Sequence, residues 1–151
     1  EEMGGITMRE ILFRAKRIDN GEWTEGYVFE LQPGQYMICD RIQYDRPSTL
    51  PVWEFFRYCT HEIVPETLCQ YTGLTDKNGN RIWENDIVSF VDMTSTESGY
   101  YERDCIGQVV WDDEEACFCV TDRLSAESWE VLQNCYTVGN IFDNPELLKG
   151  E

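Results

Sequence analysis

Seven cysteines, one histidine and 29 carboxylates are the groups of this 151-residue chain with the chemistry for catalysis or metal binding. Cys117 and Cys119 are two residues apart on a segment that reads as a strand. Alternation then puts both thiols on one face. A zinc site needs two further ligands, which Cys105 or Cys135 could supply. No Cys-x-x-Cys pair occurs, and Phe118 and Val120 mark a packed strand, so reduced, structural thiols are the simpler reading. His61 stands two residues from Cys59. A nucleophile and base also need an orienting group and a shaped setting, and no such motif surrounds them. Asp76-x-Asn78-x-Asn80 opens like a calcium loop, but Arg81 and Ile87 occupy the positions where an EF-hand needs glycine and a bidentate glutamate. Asp112-Asp113-Glu114-Glu115 reads as a solvated hairpin tip, with an acidic docking patch as the functional alternative. Phosphate-binding glycine loops are absent. The sequence therefore presents no catalytic constellation and implies no cofactor and no metal.

Charge narrows the classes of partner. The net charge is −17. Residues 1–75 carry 12 acidic and 7 basic side chains, and residues 76–151 carry 17 and 5. Such a chain repels phosphate backbones, which disfavours nucleic-acid binding. The plain reading of the charge is solubility. The sharper one is a surface that imitates DNA or docks on a basic partner. Arg9, Arg14, Lys16 and Arg17 form the only local basic cluster. It reads as a charged strand face, or as one half of a self-association surface whose other half is acidic. An odd number of cysteines argues against a disulfide framework, and no apolar run is long enough for a membrane helix.

Short strands must position these groups. Residues 9–17, 23–31 and 35–40 read as three strands joined by Asp19-Asn20-Gly21 and Gln32-Pro33-Gly34 turns. Residues 41–60 are broken by Pro47 and Pro51 and are strongly aromatic from Val52 to Tyr58. Residues 62–64 read as a strand, and Pro65–Leu68 as a single helical turn. Asp76–Asn80 is a tight turn, 87–91 a strand, 92–104 a polar loop, and 106–111 and 116–120 a hairpin around the acidic tip. Residues 129–138 read as a strand, and Asn144–Leu148 as a capped turn. No segment has a helical apolar stripe longer than about two turns. The expectation is a mainly β fold of short antiparallel strands. It is one domain over 8–150, with subregions 8–70 and 71–150, and residues 1–7 are a flexible or added lead before a start at Met8.

Several blocks resemble one family. Met8–Ala15, Glu66-Thr67-Leu68-Cys69-Gln70-Tyr71-Thr72-Gly73-Leu74-Thr75-Asp76-Lys77-Asn78-Gly79, Ile82–Val88, Gly107–Asp112 and Val138–Leu148 resemble the conserved blocks of the YopX family, small proteins of bacterial prophages and mobile elements. Asn85 stands where that family usually has glycine. Asparagine tolerates a left-handed backbone best among other residues, so the turn can survive. The resemblance implies a β-rich fold with an SH3-type barrel roll in the C-terminal half. It implies no activity.

The expected function is a non-enzymatic protein-interaction module in the cytoplasm of a bacterial host, binding a host or phage protein. One alternative is an acidic DNA mimic that inhibits a DNA-binding protein. Another is a nucleic-acid-binding small barrel stacking bases on Trp23, Trp53, Phe55 and Phe56. A homo-oligomer is a further possibility. Gln70, Tyr71 and Thr72 are the candidate binding or inter-half surface, and Asp112, Asp113, Glu114 and Glu115 the candidate acidic docking patch.

Overall fold

The computed structural model describes residues 9–40 and 49–149. The lead 1–7, Met8 and residues 41–48, with Pro47, lie outside the described residues. The chain divides after Gln70 into two units, 1–70 and 71–151.

In the first unit, β1 (Phe13–Lys16), β2 (Trp23–Gln32), β3 (Gln35–Asp40) and β4 (Thr60–Glu62) are antiparallel neighbours in the order β4-β3-β2-β1. The predicted turns connect them. Gly21 takes φ 71° and its N–H donates to the Arg17 carbonyl at 3.0 Å, while Gly34 takes φ 82° between β2 and β3. Gly26 has a different reason: a Cβ there would sit 1.8 Å from the Cys39 carbonyl oxygen of the paired strand. Ala15, Ile38 and Ile63 are fully buried, with Val28, Tyr36 and Leu68 packed against them. The aromatic stretch Val52–Tyr58 is a two-turn helix, α1, with no buried residue. Pro65–Thr67 forms the predicted helical turn, as one turn of 3₁₀ helix.

Strand β5 (Cys69–Thr75) runs across the unit boundary: Cys69 and Gln70 pair with β1, while Tyr71 and Thr75 pair with β6 (Arg81–Trp83). The second unit contains β7 (Asp86–Thr96), β8 (Gly99–Asp112), β9 (Cys117–Val120) and β10 (Tyr136–Asn140), ordered β10-β7-β8-β9 in an antiparallel sheet. Val88, Phe90, Cys105, Val109 and Val120 line one sheet face and pack with Val131, Leu132 and Cys135.

Three expectations change here. The fold is mainly antiparallel β, but the sheet of the second unit is open: β10 and β9 are its outer strands, and no closed barrel forms among the described residues. The SH3-type roll is thus not confirmed. Residues 92–104 are not a loop. They continue β7 and β8 into a ladder from Ile87↔Gln108 out to Thr96↔Gly99, closed by the two residues Glu97 and Ser98. Polar side chains do not oppose strand formation in a ribbon that meets water on both faces, and β-branched Thr94 and Thr96 favour it. Residues 129–133 are helical, in α2 (Ser128–Gln133), rather than strand. Val131 and Leu132, neighbours on one side of this helix, are both buried in the core formed with β7, β8 and β9. A capping box starts α2: Glu127 N–H donates to the Glu130 carboxylate at 2.9 Å, and the Glu127 side chain accepts from the Glu130 N–H.

Candidate functional site

The β7–β8 ladder sorts its side chains by alternation. Val88, Phe90 and Asp92 point to the core with Gly107 and Cys105. Ser89, Val91, Met93 and Ser95 point outward, opposite Ile106, Asp104, Glu102 and Tyr100. Tyr136 of β10 pairs with Ser89 and joins this outer face. The apolar members are open to solvent: Val91 is 56% exposed, Met93 40%, Ile106 42% and Tyr100 78%. At its outer end the face opens into a cleft of about 520 Å³ lined by Met93, Thr94, Ser95, Tyr100, Leu124 and Ser125.

Asp92 builds the far wall of that cleft. Its buried carboxylate accepts from the backbone N–H groups of Leu124 (2.7 Å), Ala126 (3.0 Å) and Met93 (2.7 Å), and from Ser125 Oγ at 3.1 Å. Burial pushes this carboxyl up, but the hydrogen bonds outweigh it and hold the pKa at about 2. Ser125 Oγ also lies 3.2 Å from the Met93 carbonyl. Segment 124–126 is therefore fastened along the edge of β7. No sequence motif marks Asp92. Its signal is an acid at an inward position of an alternating strand, after Val88 and Phe90.

Asp76 is a second inward carboxylate. Oδ1 accepts from the N–H groups of Asn78 and Asn80 at 2.9 Å each, and Oδ2 from Thr137 N–H at 2.9 Å. Burial raises this carboxyl and those bonds lower it, with a net shift downward. Its oxygens thus hold the tight turn that Asp76 opens. Gly79 takes φ 81° in that turn, and Asn85 takes φ 69°, the left-handed conformation expected of it.

The remaining candidates disperse. Tyr71 is 8% exposed, its ring 5.5 Å from that of Trp83, with the Arg81 guanidinium 5.5 Å over its face. Thr72 donates to the Ile82 carbonyl at 2.8 Å, and Gln70 pairs with Phe13. At the hairpin tip, Asp112 accepts from Glu114 and Glu115 N–H groups, while Asp113, Glu114 and Glu115 are exposed. The four-cysteine zinc arrangement is overturned by register. Cys117 and Cys119 oppose Asp112 and Val110 on the outer side of the sheet, whereas Cys105 opposes Phe90 on the core side and Cys135 is in the core. Among the described residues no cluster of three or more His, Cys, Asp or Glu side chains is placed to hold a metal. Burial pushes the Cys59 thiol up, opposite to what a nucleophile needs. His61 Nε2 lies 4.0 Å from Asp40. In the basic cluster, Arg14 and Lys16 lie 4.7 and 5.4 Å from the Trp23 ring, and Arg17 Nε donates to Asp19 at 2.9 Å. Of the proposed stacking aromatics, Trp53 is 63% exposed and Phe56 lies against Phe29, ring centroids 5.8 Å apart.

These features define a class: an open-sheet, mainly antiparallel β protein whose inward carboxylates organise backbone and whose outer sheet face carries exposed apolar side chains beside acids. The family model described as YopX protein matches residues 12–149, and the chain belongs to the YopX family. The fold is similar to the crystal structure of protein EF1440 from Enterococcus faecalis, at 25% identity and a TM-score of 0.55, covering 93% of this chain and 99% of that one. No curated protein matches the chain. Among the described residues no helix is long and apolar enough to cross a membrane.

Proposed function

We propose that this chain is a non-enzymatic protein-interaction module of phage or prophage origin. It acts in the bacterial cytoplasm on a host or phage protein. The observation that carries this reading is the outer face of β7–β8, where Val91, Met93, Tyr100 and Ile106 stand in solvent on one side of a regular ladder. Contiguous exposed apolar surface on an otherwise highly charged chain supports a protein contact. The chemistry of the strongest hydrogen-bonding groups points the same way. Asp76 and Asp92 have their oxygens occupied by backbone N–H groups, which leaves them unsuited to proton transfer. DNA mimicry draws on the same net charge, but those carboxylates face inward and are lost to a phosphate-like array. Base stacking has less support, because Arg14 and Lys16 already cover Trp23.

The test is photo-crosslinking in a bacterial host during prophage induction. A photoreactive residue is placed at Val91, at Ile106 or, on another surface, at Trp53. The proposal expects a discrete crosslinked protein from at least one surface. No crosslinked partner from any position, with turnover of a small molecule by the purified chain, would overturn it.

A further inference from the structure

Resting on the reading of this chain as an interaction module, we infer that the outer face of β7–β8 and its cleft bind a short basic segment of a partner, seating one bulky apolar side chain between Met93, Tyr100 and Leu124. Three observations converge on this occupant. First, at the centre of the face two apolar side chains of β7 stand opposite two acids of β8: Val91 opposite Asp104, and Met93 opposite Glu102. The outward positions 89, 91, 93, 95, 100, 102, 104 and 106 hold two carboxylates and no Lys or Arg. Lys77 lies over the Tyr136 ring at the β10 end of the face, 5.4 Å from its centroid, and the other neighbouring cations are engaged or turned away. Arg103 alternates to the opposite face across from Asp92, and Arg123 donates to the Val120 and Ala126 carbonyls at 2.8 and 2.7 Å. An exposed apolar pair beside two exposed acids is complementary to a segment that carries Lys or Arg next to an apolar anchor.

Second, the cleft is uncharged. Met93, Leu124 and Tyr100 are its apolar lining residues, and Thr94, Ser95 and Ser125 its polar ones. A volume of about 520 Å³ exceeds that of one large side chain, so an anchor enters with its backbone at the rim. The cleft is also preformed. Asp92 holds segment 124–126 through three backbone N–H groups, so its wall is in place before a partner arrives.

Third, the edge of β7 is closed to strand addition at this level. Met93 N–H donates to its neighbour Asp92, and its carbonyl accepts from Ser125 Oγ. A partner that needed those groups for sheet extension would have to displace 124–126. The segment therefore crosses the sheet face and does not lengthen the sheet.

The test selects peptides from a random 12-residue phage library on the full chain, then measures labelled peptides by fluorescence polarisation. Enriched peptides are expected to carry a bulky apolar residue flanked by Lys or Arg, with affinity that weakens as NaCl rises. Glu102→Gln with Asp104→Asn should weaken binding roughly three- to tenfold, as expected for two exposed ion pairs. Met93→Ser should weaken it about tenfold through the anchor. Asp113→Asn with Glu114→Gln, at the distant hairpin tip, should leave it unchanged. These positions are exposed or half-exposed, and circular dichroism checks that each variant folds. An empty selection, acidic or uncharged winners, or binding unchanged in the Glu102/Asp104 and Met93 variants overturns this docking mode. The interaction reading itself falls separately, on the absence of any crosslinked partner from any position in the cell together with small-molecule turnover by the purified chain.

Discussion

The Asp92 carboxylate works as an anchor because its charged form is better satisfied in the fold than in water. Its pKa of about 2 lies below the ordinary carboxylate value near 4. A folded-state pKa that is depressed adds stability above the unfolded pKa, and that stability is lost as pH falls from about 4 through 2. Asp76 is shifted in the same direction. Asp92→Asn should cost about 1–3 kcal/mol at neutral pH, because an amide cannot accept as the carboxylate does and buried N–H groups lose their partner. It should also flatten the fall of stability between pH 4 and 2, read by urea unfolding followed by tryptophan fluorescence; an unaltered slope would contradict the assignment. Asn85 carries a conformational argument. At φ 69°, with Oδ1 accepting from Gln108 at 3.1 Å, it should tolerate Gly within about 0.5 kcal/mol, whereas Ala should cost about 1–2 kcal/mol. Denaturation midpoints distinguish the two. For the thiols, burial pushes Cys135 up to about 11 and raises Cys59 and Cys105 as well, while Cys117 is exposed. A thiol-reactive dye at pH 8 should therefore label Cys117 quickly and the four buried thiols, Cys59, Cys69, Cys105 and Cys135, only on unfolding. Rapid native labelling of all seven would refute this burial pattern. Of these residues, the Asn85 conformation and the Asp76 turn were legible from local sequence. Asp92 was not, because all its partners but the Met93 N–H lie more than 30 residues away.

At the scale of elements, the β7–β8 ribbon and α2 mark where local pattern misleads. Residues 92–104 look like a loop because serine, threonine and acids dominate them, yet the ladder needs only backbone pairing and a two-residue turn. Gly107 keeps the ladder close to its next neighbour. A Cβ there would lie 2.1 Å from the Thr121 carbonyl oxygen, a backbone atom with little freedom to move. Gly107→Ala should destabilise the chain by about 1–3 kcal/mol, with the largest amide shifts in β8 and β9. Shifts confined to β7 would argue against that cause. The 129–138 reading failed for a different reason. Short apolar runs do not separate helix from strand by periodicity, and the box between Glu127 and Glu130 decides the outcome. The spacing Ser128, Val131, Leu132, Cys135 was available as a helical signal, with three of these residues buried and Ser128 Oγ accepting from Val120 N–H at 3.0 Å. Asn144 is another partial success. It precedes the final helical turn, but its side chain turns back to Asn140 N–H at 3.3 Å instead of capping the turn ahead.

For the whole molecule, a net charge of −17 sets behaviour that no single contact explains. Like-charge repulsion opposes the folded state and salt screens it, so the melting temperature should rise between 20 and 300 mM NaCl. A fall over that range would mean that attractive pairs dominate. The acidic balance, the β class and the turns at Gly21, Gly34, Gly79 and Asn85 were determined by the sequence alone, because each rests on residues within a few positions of one another. The family blocks belong with them, being linear strings of residues. Tertiary structure decided the rest. It chose which carboxylates turn inward, put Cys117 and Cys119 on the sheet face opposite Cys105, left the four-stranded sheet open, and exposed the apolar row of β7 beside the acids of β8. Alternation fixes only that neighbouring side chains face opposite ways. Which of the two faces meets water depends on what packs against the sheet, and here α2, 40 residues along the chain, covers one of them.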